Sequence, residues 1–258
     1  MLLPRLVTRL KLAKELRKTK YDVTISLTPS QSKQSLLALA VGANIKVGFR
    51  DGWWHNWIFD EMVDINQHMH EVDWYLTLAG KLGAKSAGRK PEIVLQDEHV
   101  RFAERTLPRW ENRCIIGIHP GCGDAQAYKR WPPDRFASVA DHLVQHYDAH
   151  VVLFGGPNEV SLTESIRSIM REAEVTVLTG RMSLLEAAAC MTRCDLFISN
   201  DSGLMHLAAA VGTPVVAIFG PTSESKNAPL GSTSIIVRKG DCSAALSNAI
   251  CPPGVELL

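Results

Sequence analysis

The segment NDSGLMHLAAAVGTP, residues 200–214, concentrates its polar residues at one end. Asp201, Ser202 and Gly203 precede a run of mostly small apolar residues, a pattern typical of a short buried helix. One interpretation is that Asp201 or Ser202 caps this helix. The other is that the free N–H groups and the positive dipole end of its first turn bind an anion such as a phosphate group.

A second polar segment, HPGCGDAQAYKRWP at residues 119–132, follows the apolar run IIGI. Gly121 and Gly123 allow the backbone to turn tightly and bring N–H groups close to a ligand. Lys129 and Arg130 can supply positive charge, and the prolines after them are typical of a helix start. The combination favours a phosphate-bearing ligand, although a solvated loop lysine remains an alternative for Lys129.

These loops lie within a regular alternation of strands and helices. Strands are predicted at 114–120, 150–156, 175–180, 195–200 and 214–220, and helices at 133–147, 158–172, 183–192 and 203–211. Short apolar strands separated by helices indicate an α/β fold with a parallel sheet that is covered on both faces. Ligands of such sheets bind beyond the carboxyl ends of the strands, where these loops lie.

The remaining strand ends also carry glycine or hydroxyl residues. GGPNE places Glu159 at a helix start, and in TGRMSLLE Ser183 and Glu186 have the spacing of a capping box. The last of these strands leads into GPTSES. No Walker motif and no G-x-G-x-x-G is present, which disfavours a P-loop hydrolase or a dinucleotide-dependent dehydrogenase.

The N-terminal third is less regular. A basic helix occupies the first twenty residues, and strands are predicted at 21–27 and 45–49, with helices at 32–42 and 69–84. WWHNW, residues 53–57, interrupts them as a loop-like cluster, and a Gly/Lys/Pro stretch at 84–92 is typical of a linker. The basic helix is either a solvated face packed on a core or a contact with an anionic membrane surface.

Composition is that of an ordinary globular chain. The 258 residues are 46% hydrophobic and 21% charged, with a net charge of +1, so no polyanionic partner such as a nucleic acid is indicated. The sequence shows no signal peptide and no apolar run of the roughly 18 residues that span a bilayer. Six dispersed cysteines are interpreted as reduced thiols, and their spacing predicts no metal site.

Several of these segments together resemble the family-nine glycosyltransferases, the ADP-heptose:lipopolysaccharide heptosyltransferases of Gram-negative bacteria. The likeness is carried by YDVTISL, HPG with KRWPPDRFASVADHL, VVLFGGPNE, and LTGRMSLLEAAACMTRCDLFISNDSGLMHLAAAVGTPVVAIFGPTSES. It implies the GT-B architecture of two Rossmann-like domains. Residues 1–90 would form an incomplete N-terminal, acceptor-side domain, and residues 91–258 a donor domain that binds the nucleotide sugar.

The resemblance also implies roles for individual residues. Lys129 would neutralise the departing diphosphate, Glu159 would bind the nucleotide, on the ribose, and Met182 would line the adenine pocket. The other residues expected to bind the donor are Gly121, Gly123, Asp201, Ser202, Gly203 and His206. Simpler interpretations stay open: Glu159 as an exposed first-turn carboxylate, Met182 as core packing, and His206 as a buried structural residue.

The implied reaction is inverting heptosyl transfer from ADP-heptose to a lipid-anchored sugar of the lipopolysaccharide inner core. Fixed N–H donors and a cation would stabilise the charge that builds on the diphosphate. The sequence has no D-x-D motif, in agreement with transfer that needs neither metal nor cofactor. The expected location is cytoplasmic, with peripheral contact to the cytosolic face of the inner membrane left open.

One feature of the family is missing. Its members carry a carboxylate base in a Gly-Asp loop near the N-terminus, and no residue of this chain matches it, so the general base is unknown. We expect a chain truncated at its N-terminus, with an exposed apolar face in the first domain. The alternative functions are an inactive ADP-sugar-binding fragment, another GT-B enzyme or a nucleotide-sugar epimerase. WWHNW is expected to plug a loop or to contact sugar rings.

Overall fold

The chain forms two compact units, which comprise Met1–Arg89 and Lys90–Leu258. The structure is a computed structural model, and it describes residues 3–28, 32–50, 52–66, 68–109, 113–171, 175–231 and 233–238. Cys242 and Cys251 lie outside the described residues, as does the end of the tail.

Unit 1 contains a three-stranded parallel sheet in the order β1-β2-β3. Its elements are α1 (Leu3–Lys18), β1 (Val23–Ile25), α2 (Ser32–Val41), β2 (Ile45–Arg50), a 3-10 helix (Trp53–Trp57), β3 (Glu61–Asp64) and α3 (Glu71–Gly80). The predicted helices and strands of this region are all present. The sequence analysis missed β3, whose four residues EMVD are too short and too acidic to give a strand signal.

The WWHNW segment is a 3-10 helix, so the prediction of a loop was wrong. Trp54 and His55 pack inward: their ring centroids are 3.7 Å apart, and His55 stacks on Phe59. Trp53 and Trp57 instead remain 78% and 81% exposed. The segment is therefore only half a plug, because two of its three tryptophans face solvent.

Unit 1 also has an apolar surface on β1, α2 and the residues beside them. Ile25, Leu27, Leu36 and Leu39 are all exposed there. Strand β1 is an edge strand of the sheet, with β2 as its neighbour. An exposed apolar face was expected in this unit, since so small a parallel sheet has few elements to cover it.

Unit 2 is a six-stranded sheet in which every pairing is parallel. Its strands are β4 (Ile115–His119), β5 (His150–Leu153), β6 (Val175–Val177), β7 (Leu196–Asn200), β8 (Val215–Ile218) and β9 (Ser234–Val237). Its helices are α4 (Asp97–Thr106), α5 (Pro133–Tyr147), α6 (Val160–Ile169), α7 (Leu184–Met191), α8 (Gly203–Ala210) and α9 (Glu224–Asn227), with 3-10 helices at Asp124–Lys129 and Pro157–Glu159.

The five strands and four helices predicted for this region are present. The sequence analysis missed α4, α9 and β9. α4 is strongly charged, DEHVRFAERT, and packs through a narrow apolar stripe against α7. β9 is a half-exposed edge strand of four residues. Both signals are weak in sequence because little apolar surface is buried.

Strand order in unit 2 is β6-β5-β4-β7-β8-β9. The chain builds the sheet outward from β4 in one direction, then returns to β7 and builds it in the other. The order therefore reverses between β4 and β7, and the loops that follow these two strands separate toward opposite faces of the sheet. A crevice opens at such a point, beyond the carboxyl ends of the strands.

Two cores cover the two faces of this sheet. Alternate residues of β4 take part in different cores, Ile115 in one and Ile116 and Ile118 in the other. The first core packs under α4, α7 and α8, and the second under α5 and α6. Burial on both faces explains why these strands read as continuous apolar runs.

No helix in the described parts of the chain is long and apolar enough to cross a bilayer. Among the cysteines that the structure describes, Cys122, Cys190 and Cys194 are buried and Cys114 is exposed, and all four are free. Burial raises the pKa of the Cys190 thiol to about 12, so this side chain is neutral and acts as a small apolar residue of the core.

Gly117, in the middle of β4, has no room for a side chain. A Cβ there would lie 2.5 Å from the Phe197 ring and 3.1 Å from that of Phe154. We predict that Gly117→Ala lowers the free energy of unfolding by about 1–3 kcal/mol through overpacking. The measurement is chemical denaturation, with Gly80→Ala as the matched control because nothing lies within 4 Å of a Cβ at Gly80. An unchanged midpoint for Gly117→Ala would contradict this close packing.

Candidate functional site

A cavity of about 910 Å³ lies at the carboxyl ends of the unit 2 strands. Its walls come from the loops after β4, β5, β6 and β7 and from the first turns of α7 and α8. Six of the residues singled out in the sequence line it: Gly123, Glu159, Met182, Ser202, Gly203 and His206. Its volume is in the range of small-molecule sites.

Helix α8 begins at the cavity wall. Ser202 is its N-cap, and the Ser202 hydroxyl accepts a hydrogen bond from the Met205 N–H over 3.4 Å. Of the two capping residues considered from sequence, Ser202 is therefore the cap. Gly203 and Leu204 follow as the first helical residues and line the cavity. Their N–H groups belong to the first turn, where the helix leaves donors without an internal partner.

Asp201 has another task, because its carboxylate pairs with Lys129. Lys129 Nζ lies 2.8 Å from Asp201 Oδ2, and the two side chains are only 9% and 6% exposed. Lys129 is thus buried rather than a solvated loop lysine. Removing one partner of such a pair typically costs about 3–5 kcal/mol, since the other charge is left buried alone. The pair holds the ammonium group beside the start of α8.

Asn200, which ends β7, holds both ends of the loop that carries Lys129. Its Nδ2 donates to the Pro120 carbonyl over 2.7 Å, and its Oδ1 accepts from the Trp131 N–H over 3.1 Å. Asn200 is fully buried. One side chain therefore fixes where the loop leaves β4 and where it enters α5.

Glu159 is buried, not an exposed first-turn carboxylate. Its Oε2 accepts hydrogen bonds from the Gly156 N–H at 2.8 Å and from His119 Nε2 at 3.1 Å, and the Gly123 N–H lies 3.4 Å from Oε1. Burial by itself raises the pKa of this carboxyl. The hydrogen bond and electrostatic interaction with His119 and the two N–H groups outweigh that effect and lower the pKa to about 2.

Gly121 makes room for this carboxylate, although it does not line the cavity. A Cβ at Gly121 would lie 1.8 Å from Glu159 Oε1. Any side chain at position 121 would therefore displace the Glu159 carboxylate. This is a different role from the backbone contact with a ligand that the sequence suggested for Gly121.

The other end of the cavity is apolar. Met182, Leu184, Ala187 and Leu207 line it, and Met182 and Leu207 also belong to the core under α7 and α8. Met182 is thus both core packing and cavity wall. The predicted capping box at the start of α7 is present: the Ser183 hydroxyl accepts from the Glu186 N–H, and the Glu186 carboxylate accepts from the Ser183 N–H.

His119 and Asn200 are site residues that the sequence analysis did not nominate. Both end a buried strand at the point where the strand order reverses, and both are buried polar side chains. A polar residue that closes an apolar run was the available signal. It was visible in IIGIH and in LFISN.

No group of three or more histidine, cysteine, aspartate or glutamate side chains that could hold a metal ion occurs in the parts of the chain that the structure describes. What these residues bring together is a buried lysine, a helix start, a carboxylate and an apolar wall. A doubly wound sheet with these features at its switch point defines a nucleotide-binding α/β protein.

The chain belongs to glycosyltransferase family 9. Its sequence matches the model of "Glycosyltransferase family 9 (heptosyltransferase)" over residues 9–249. It is 32% identical over 247 residues to lipooligosaccharide heptosyltransferase 2 of Haemophilus influenzae, covering 90% of this chain and 69% of that protein. It is 27% identical over 241 residues to lipopolysaccharide heptosyltransferase 2 of Escherichia coli, covering 89% of this chain and 68% of that one.

Solved structures agree with this assignment. The ADP-heptose lipopolysaccharide heptosyltransferase II of E. coli superposes with a TM-score of 0.73 at 25% identity, over 92% of this chain and 74% of that one. A family 9 glycosyltransferase from Veillonella parvula gives a TM-score of 0.73 at 27% identity, over 90% and 66%. The predicted family and the GT-B-type α/β fold are confirmed, and the chain spans about two thirds of the length of these relatives.

The depressed pKa of Glu159 predicts a pH dependence of stability. Glu159 has a lower pKa in the folded chain than in the unfolded one, so its contribution is complete above about pH 4.5 and is lost as pH falls toward 2. Between pH 5 and pH 3 the native protein should lose about 2 kcal/mol more than Glu159→Gln, at about 1.4 kcal/mol per pH unit.

Denaturation at the two pH values measures this difference. Glu164→Gln is the matched control, because Glu164 lies on the exposed face of α6. We expect it to behave as the unsubstituted protein. Equal acid sensitivity of Glu159→Gln and Glu164→Gln would show that the carboxylate of Glu159 is not held as described.

Proposed function

We propose that this chain transfers a heptosyl group from ADP-heptose to the inner core of lipopolysaccharide, with inversion at the anomeric carbon. Membership of family 9 supports the glycosyl transfer, and the names of the relatives support the donor and the acceptor. The observation that carries the assignment of the donor site is the Lys129–Asp201 pair beside the start of α8, at one cavity with Glu159.

The donor fits this site in one order. The diphosphate would accept hydrogen bonds from the first N–H groups of α8, at Gly203 and Leu204, where the helix dipole contributes about 0.3–2 kcal/mol. Glu159 would bind the ribose hydroxyls, and the adenine would pack on the apolar wall that includes Met182. His206, one turn into α8, also faces the cavity and is assigned to donor binding.

The chemical step needs charge stabilisation at the diphosphate. An acceptor hydroxyl attacks the anomeric carbon as the bond to phosphate breaks, and ADP leaves with an added negative charge. Lys129 and the α8 N–H groups are fixed before the reaction, so they stabilise this charge without reorganisation. In this proposal Asp201 orients Lys129, and the pair loosens as the ammonium group turns to the phosphate.

We propose that no resident metal ion or cofactor takes part. Lys129 and the backbone N–H groups would supply the positive charge that a metal ion supplies in other nucleotide-sugar transferases. The absence of a D-x-D motif from the sequence supports this proposal.

Lys129→Met should lower kcat/KM for heptosyl transfer by about 10²–10³-fold, the effect typical of losing one fixed donor to the developing charge. Transfer from ADP-heptose to an inner-core acceptor is measured with EDTA present. Because Lys129→Met leaves Asp201 buried without its partner, the double variant Lys129→Met/Asp201→Asn is measured as well. It should recover stability and remain inactive.

Lys85→Met is the control, since Lys85 is exposed in the segment between the two units. We expect it to transfer heptose at the unsubstituted rate. Undiminished transfer by a folded Lys129 variant would overturn the role of Lys129, whereas an unsubstituted protein that neither binds ADP nor uses ADP-heptose would overturn the proposed function.

We further propose that unit 1 contacts the membrane that carries the lipid-anchored acceptor. Two features of this unit support it. The Trp53 and Trp57 side chains are almost fully exposed, and tryptophan prefers the membrane–water interface. Helix α1 is basic at its exposed positions, which include Lys11, Lys14 and Lys18, and basic helices are attracted to anionic lipid.

Vesicles with and without anionic lipid test this contact. The protein should cosediment with anionic vesicles more than with neutral ones, and Trp53→Ala/Trp57→Ala should bind several-fold less. Tyr147→Ala, which removes an aromatic side chain that is 64% exposed on unit 2, is the control and should bind unchanged. Equal binding by the tryptophan variant and the control would remove the tryptophans from the membrane contact.

A further inference from the structure

His119 occupies the centre of the donor site without a role in the function proposed above. It is the last residue of β4, lies at the switch point, is 3% exposed and lines the cavity. Its Nε2 lies 3.1 Å from Glu159 Oε2. Its Nδ1 lies 3.0 Å from the Ser202 hydroxyl and 3.3 Å from the Ser199 hydroxyl. One ring thus joins the carboxylate of the β5 loop to the cap of α8.

The Nε2 contact fixes one oxygen of the Glu159 carboxylate. With its pKa near 2, Glu159 is ionised and can only accept, so Nε2 of His119 carries the proton and donates. Oε2 then has two short partners, the His119 ring and the Gly156 N–H. Oε1 has one long contact, 3.4 Å to the Gly123 N–H. A carboxylate oxygen can accept two hydrogen bonds, so Oε1 retains capacity for a ligand hydroxyl.

The surroundings leave Glu159 no other place to rest. Cβ atoms at Gly121 and Gly155 would lie 1.8 Å and 2.9 Å from Glu159 Oε1 and the Thr179 methyl group respectively, so backbone closes in around the carboxylate. The remaining freedom is rotation of the carboxylate plane. His119 Nε2 and the Gly156 N–H, both on Oε2, restrict that rotation.

We propose that His119 is a positioning residue that orients the Glu159 carboxylate for hydrogen bonding to the ribose of the nucleotide. It thereby gives the site its preference for a nucleotide with ribose hydroxyls over one without them. This inference rests on the proposed function, which places an adenosine diphosphate in this cavity. The other interpretation of His119 is a buried residue that only ties two loops together.

Two substitutions separate the two ends of the ring. The amide nitrogen of glutamine reaches about as far as Nε2, and that of asparagine about as far as Nδ1, and both are donors. His119→Gln therefore keeps a donor for Glu159, whereas His119→Asn keeps only the contact on the Ser202 side. A merely structural histidine predicts no such difference in ribose preference.

The experiment measures the dissociation constants of ADP and 2′,3′-dideoxy-ADP by calorimetry for each protein. The unsubstituted protein should prefer ADP by about 10- to 100-fold, the value of one or two hydrogen bonds to a charged group. His119→Asn should bind the two nucleotides within about twofold of each other, while its affinity for dideoxy-ADP changes little. His119→Gln should keep most of the preference.

His146→Asn is the matched control, because His146 lies exposed near the end of α5, and it should retain the full preference. An unchanged ADP preference in His119→Asn, with both affinities lowered alike, would overturn the inference. So would an unsubstituted protein that binds both nucleotides equally. If His119→Asn does not fold, loss of the preference in His119→Gln overturns it and retention supports it. Absence of any ADP binding by the unsubstituted protein instead overturns the proposed function.

Discussion

The reversal of strand order between β4 and β7 is the constraint on which the site depends. It brings the last residues of these two strands side by side at the mouth of a crevice. The polar groups buried there must find partners within the protein, because an unpaired buried donor or acceptor costs about 1–3 kcal/mol. Residues 199–202 meet that requirement by hydrogen bonding to three different loops.

Each residue of this segment has its own partner. Asn200 clamps the loop after β4, Asp201 pairs with Lys129, and Ser202 both caps α8 and contacts His119. Together they arrange a cation, a helix start and a carboxylate around one cavity before any ligand arrives. Such preorganisation is what electrostatic stabilisation of a departing diphosphate requires, since fixed groups need no rearrangement during the reaction.

Much of unit 2 could be predicted from sequence because its local signals agree. Buried parallel strands read as apolar runs, helices as amphipathic periods, and Ser183 with Glu186 as a capping box, and all of these are present in the structure. Elements with little buried apolar surface were missed, namely α4, β3 and β9. The 3-10 helix at Trp53–Trp57 was taken for a loop because its aromatic cluster has no periodicity long enough to indicate a helix.

By itself the sequence determined the fold class, the family and the loops from which the site is built, since turn glycines, strand runs and helix starts depend on neighbouring residues. Only the tertiary structure decided which loops meet. The contacts of Lys129 with Asp201 and of His119 with Glu159 join residues 72 and 40 positions apart. Their pairing depends on the order of strands in the sheet, which short-range patterns do not encode, so the sequence could name Lys129 and Glu159 but not the groups that hold them.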